Sequence, residues 1–176
     1  MSGPDLSEAL TPRLRTMRVI LGALCVGVLC MAGVMLWLRE AVPPPPPPPV
    51  PLLTFVGLGF AAFMAVGSVV LPLVVQASWR RGARRQGGGT PVDPRTGRAL
   101  GPEEAWWARY QTRLILQGAL LEGATFYQLI AYRVEGLPVS LAVAAGLFLC
   151  LLMLFPTRAG VERWAAAQRD LVEQGR

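Results

Sequence analysis

The chain has no histidine, no lysine and no asparagine, and only three isoleucines. Without histidine, imidazole metal ligation and histidine-based nucleophilic catalysis are excluded. Without lysine, all 17 basic residues are arginine. That bias follows GC-rich codons and points to a GC-rich bacterial genome rather than to a mechanism. Cysteine is scarce: Cys25, Cys30 and Cys150 form no CxxC and lie in apolar runs, so they read as small core or lipid-facing residues. Gly87-Gly88-Gly89 is followed by neither a strand nor GK[ST], so it is not a phosphate loop. With no nucleophile–base pair, metal set or phosphate loop, neither an enzyme nor a cofactor is expected.

What the chain does have is apolar length. Of its 176 residues, 53% are hydrophobic, and the mean hydropathy is +0.43. Soluble domains of this size rarely read so apolar, and long uncharged runs account for it. The net charge of +6 sits beside those runs, where membrane topology explains it. No RNP, zinc-finger or helix-turn-helix pattern accompanies it, so nucleic acid is not an expected partner.

The pattern predicts an all-α membrane protein with four transmembrane helices and a C-terminal amphipathic interfacial helix. A polar N-terminal tail (1–16), disordered over 1–12, precedes a first span, 17–38. That run is too long for a signal-peptide core and lacks an A-x-A-like exit. An outer loop, 39–51, contains Pro43 to Pro49, which adopts extended polyproline II. The second span, 52–76, carries Gly57, Ala61 and Ala65 four apart and Ser68 three later, a small-residue stripe suited to close helix packing. An Arg/Gly-rich segment, 77–113, includes a helix start at Pro102-Glu103-Glu104 and an aromatic belt at Trp106, Trp107 and Tyr110. The third span is 114–132, a tight turn 133–136 follows, and the fourth span is 137–156. The tail, 157–176, places Val161, Trp164, Ala165, Leu171 and Val172 at helical spacing and reads as an interfacial helix.

Arginines are concentrated in the N-terminal flank (Arg13, Arg15, Arg18), in loop 2 (Arg80, Arg81, Arg84, Arg85, Arg95, Arg98) and in the tail. Loops 1 and 3 carry only Arg39 and Arg133. The positive-inside rule then puts both termini and loop 2 in the cytoplasm, across a bacterial inner membrane.

Glu122 is the only acidic or basic side chain in the interior of an apolar span, Arg18 lying at the very start of the first. At ~1.5 Å per residue it lies ~12 Å and ~15 Å from the ends of the 114–132 span. A carboxylate there costs ~3 kcal/mol on insertion scales, and its default reading is functional. On a helical wheel Gln111, Gly118, Thr125, Tyr132, Gln128 and Gln117 share its arc, a mixed stripe that faces other helices rather than lipid. No arginine is near enough to pair with it, which favours its protonated form. Ser68 shares its depth in an antiparallel hairpin, so a Ser68–Glu122 hydrogen bond is expected. Glu122, Ser68, Thr125 and Gln117 are thus the candidate ion-binding residues; Gly57, Ala61, Ala65 and Gly118 are the candidate packing residues.

Gly118-Ala119-Leu120-Leu121-Glu122-Gly123, with Tyr127 and Leu129-Ile130-Ala131 after it, resembles the carboxylate helix of the rotary ATP synthase c subunit. Gly57, Gly59 and Gly67 precede it, and Arg85-Gln86 lies between. The resemblance covers at most residues 52–133, and its specific part is about 15 residues. It implies a two-helix hairpin in which Glu122 carries a proton. The connecting segment is far longer than that family's tight polar turn, and the first and fourth spans have no counterpart there. The expected function is a non-enzymatic subunit or assembly component of a membrane complex, with other membrane subunits or itself as partner besides the bilayer. The alternative is a proton- or ion-coupled transport component centred on Glu122.

Overall fold

The computed structural model of the protein describes residues 6–42, 49–85, 97, 102–161 and 163. These form four helices in chain order: α1 (Leu6–Ala41), α2 (Leu52–Arg85), α3 (Pro102–Glu135) and α4 (Pro138–Met153). There is no strand among the described residues.

Three stretches are long and apolar enough to cross a membrane: Leu14–Ala41, Leu52–Val75 and Trp107–Glu135. The expected fourth span is an apolar helix of 16 residues, ~24 Å long against a hydrocarbon core of ~30 Å. It stops at Met153, ahead of Pro156, whose ring disfavours helical geometry in the residue before it. The other helices run past their expected ends. α1 is already helical at Leu6, so part of the segment expected to be a disordered tail is helix, and Pro12 lies inside it. α2 continues to Arg85 through arginine-rich turns with good helix propensity. α3 starts at Pro102, where proline and two glutamates predict it.

The polyproline run at 43–48, the glycine-rich turn and most of the expected amphipathic tail fall outside the described residues. Of that tail, 158–161 and 163 are helical and Val161 is buried.

α3 is the central element. Half of its apolar stretch is buried inside the bundle, against 17% for those of α1 and α2. It packs on all three other helices, while α1 and α2 scarcely meet among the described residues. The core is built from Met17, Leu21, Cys25 and Val28 of α1, spaced one helical turn apart, with Leu121 and Ala124 of α3 and Leu147 and Leu151 of α4. Gly118 lets this core close: a Cβ there would stand 2.8 Å from Leu24 Cδ1 and 3.3 Å from Leu21 Cδ2. The outward faces of α1 and α2 are apolar, with Val26, Leu29, Trp37, Phe55, Phe63 and Val69 all exposed. So much outward apolar surface is what a lipid-facing helix presents.

Candidate functional site

At one end of the bundle the polar groups satisfy one another across helices. α2 is preceded by Pro51, which has no N–H to place. The next amide, Leu52 N, bonds Val50 O at 2.8 Å, and Phe55 N already makes the first helical bond, to Pro51 O at 3.2 Å. The two amides between them belong to Leu53 and Thr54. Both donate to the Glu135 carboxylate, at 2.7 Å and 2.8 Å. The end of α3 therefore caps the start of α2, and all of α2's initial donors have partners. The anion also sits at the positive end of the helix dipole. Beside it the Thr54 and Ser140 hydroxyls share a hydrogen bond of 3.0 Å, tying α2 to α4.

Arginines close the same end. Arg39 of α1 donates from Nη1 to Tyr132 O at 2.9 Å, with its guanidinium 4.3 Å from the centre of the Tyr132 ring. Arg133 of α3 reaches back to Val42 O at 3.2 Å, just past α1. Each helix thus sends an arginine to the carbonyl-rich end of the other, where cations are favoured. Gly136 ends α3 with φ 74°, and a Cβ there would stand 2.8 Å from Arg39 Nη2. The positive φ is what favours glycine here, since the Arg39 tip is flexible enough to shift.

Glu122 lies in the interior of α3 and faces α1. Its Oε1 is 3.0 Å from where a Cβ would stand on Gly27. Gly27 is at the centre of the Leu14–Ala41 span, so the carboxyl sits at mid-depth in a recess of the neighbouring helix. It is partly exposed, and no hydrogen bond or ion pair to it occurs among the described residues.

Ser68 does not meet it. The Ser68 hydroxyl donates to Ala65 O in its own helix at 2.7 Å. The two helices do meet near this level: a Cβ built on Gly67 would stand 3.9 Å from Leu120 Cδ1. The rotation is wrong: residues two apart on a helix point ~200° apart, so the side of α3 that meets Gly67 is the side away from Glu122.

The remaining expected residues line α3's buried side. Thr125 is buried and donates to Leu121 O at 2.7 Å; Gln117 is buried as well. Ala61 is in the core, and Ala65 is half-buried. At Gly57 a Cβ would meet Tyr127 Cε1 at 2.8 Å and Gln128 Nε2 at 3.1 Å, so this glycine lets α2 and α3 approach. Trp107 and Tyr110 stack edge to face at 6.3 Å, and the Trp106 side chain is outside the described ones.

Gln128 is the second anomaly. It is 0% exposed, and neither Oε1 nor Nε2 finds a hydrogen-bond partner among the described residues. A buried amide without partners costs ~1–3 kcal/mol.

Comparison with known protein families, curated proteins and solved structures returns no match. The site therefore stands on its own geometry. Two groups on α3, the Glu122 carboxyl and the Gln128 amide, have polar capacity that the described residues leave unused. The Glu135 cap is absent from the sequence-level expectation. Its signal was the start of α2: Pro51 supplies no side-chain acceptor and the first turn holds no acid, which leaves its first amides to water or to an acceptor on another helix.

Proposed function

We propose that the protein is a non-enzymatic, membrane-embedded subunit or packing component of a membrane complex, and that Glu122 is its docking point for another membrane helix. One observation carries the reading: Glu122 is partly exposed at mid-span and lacks a polar partner among the described residues. In lipid such a group finds its partner on a neighbouring polar side chain or in water. In this reading α4 completes a fourth crossing. It bears no charge, and a short apolar helix is accommodated by local thinning of the bilayer. Four crossings bring both termini to one side, and the arginine distribution makes that side the cytoplasm of a bacterial inner membrane.

The test is native mass spectrometry of the chain extracted in mild detergent, wild type beside Glu122→Leu. The expected result is a defined heteromeric mass that the variant loses while keeping its helix content. A wild-type chain recovered only as a monomer refutes the docking role.

The second reading is proton- or ion-coupled transport by a c-subunit-like acid. It is favoured by the recess at Gly27, which admits the carboxyl at mid-depth without ion-pairing it. It predicts a homo-oligomeric ring, modification of Glu122 by carbodiimides, and loss of proton uptake into proteoliposomes in Glu122→Gln.

A further inference from the structure

The end of the bundle opposite the Glu135 cap holds a different kind of feature. A groove of about 360 Å³ opens between the start of α1 and the residues after α4, lined by Leu14, Arg15, Arg18 and Arg158. Three of these four side chains are guanidinium groups, and no acid lines the groove among the described residues. Arg18 joins the walls: its Nε donates to Pro156 O at 3.4 Å, leaving the Nη groups as further donors. Leu14, 7% exposed, supplies an apolar floor.

The depth of the groove identifies what it can hold. The apolar span of α1 begins at Leu14, so Arg15 and Arg18 lie in its first turns, at headgroup level when α1 crosses a bilayer. Above Arg15, one face of α1 continues through Val19, Gly22 and Val26, at i+4, i+7 and i+11. Val19 and Val26 are exposed at 64% and 58%, and nothing lies within 4 Å of a Cβ built on Gly22. A cationic groove therefore runs into an open apolar track. Phosphate is matched by guanidinium forks, an acyl chain by the track, and one molecule with both is a phospholipid.

We infer that Arg15 and Arg18, in the groove they form with Arg158, bind the phosphate of an anionic phospholipid whose acyl chain lies along the Val19–Gly22–Val26 face. Such basic pockets between membrane helices are a recognised lipid headgroup environment. The site is independent of Glu122 and of the docking reading.

The test uses the full chain, delipidated in detergent, and native mass spectrometry with phosphatidylglycerol, phosphatidylcholine of the same acyl chains, and inorganic phosphate. Phosphatidylglycerol should bind at least about fivefold more tightly than phosphatidylcholine. Arg15→Gln should weaken it about fivefold, the contribution of one arginine near an anionic surface. Arg163→Gln removes the same charge from an exposed side chain outside the groove, and should change binding less than about twofold. Helix content and unfolding midpoint are measured on each variant, and Arg18→Gln serves as the groove probe if Arg15→Gln unfolds. Equal binding of the two lipids, or equal effects of Arg15→Gln and Arg163→Gln, overturns the inference. Displacement of phosphatidylglycerol by millimolar inorganic phosphate overturns the lipid assignment and makes the groove a site for the free anion.

Discussion

Glu135 and Glu122 are the same side chain on the same helix, and they live by opposite rules. Glu135 uses both carboxylate oxygens on amides of another helix, beside a threonine–serine hydrogen bond. Glu122 touches a glycine recess and receives no donor among the described residues. One carboxylate completes the fold, and the other is left over from it. A group that the fold leaves unsatisfied at mid-membrane depth is the one to interrogate for function, whereas a fully bonded acid explains itself.

Substitutions can break this contrast, and Glu135→Ala should have the largest effect. It strips the acceptor from the Leu53 and Thr54 amides, and hydrogen bonds to charged groups at such sites are worth ~2–4 kcal/mol together. The unfolding midpoint in detergent should fall accordingly. A midpoint equal to wild type would remove the cap from the account. Gly136→Ala comes next, at ~1–3 kcal/mol, because alanine at positive φ is strained and its methyl would displace the Arg39 guanidinium. An unchanged midpoint there would mean that the α3 end relaxes freely.

Gln128→Leu should act in the other direction. Replacing an unpartnered amide with an apolar side chain of similar size should raise the midpoint by up to ~1 kcal/mol. A fall would show that the amide has a partner in the assembled protein. Glu122→Gln should have the smallest effect on stability, within ~0.5 kcal/mol, so its readout is function. Loss of proton uptake with the fold intact supports ion coupling. Full retention sinks that reading and leaves the packing subunit.

The sequence revealed depth better than direction. Similar depths for Ser68 and Glu122 follow from rise per residue alone, and α2 and α3 do meet nearby, at Gly67 and Leu120. The Ser68–Glu122 pairing failed because the rotation of α3 is set by packing, including the close approach of Leu21 and Leu24 to Gly118, which no single-helix pattern contains. Arg39 and Arg133 were legible as charges near membrane ends, but their carbonyl partners lie 93 and 91 residues away. The start of α3 was fully legible, since Pro102, Glu103 and Glu104 signal it locally. The end of α4 was less so, because the apolar run continues past the helix to Phe155.

The Glu135 cap also imposes a timetable. Thr54 and Glu135 are 81 residues apart, and chains are made from the N-terminus at ~5–20 residues per second. For several seconds of synthesis α2 has emerged while the acid that completes it does not yet exist. During that interval its leading amides must stay hydrated at the membrane surface or be held by the insertion machinery. Final seating of α2 is therefore a late step, triggered by the arrival of α3's last turn, and a nascent chain arrested before residue 135 should carry a loosely anchored second helix.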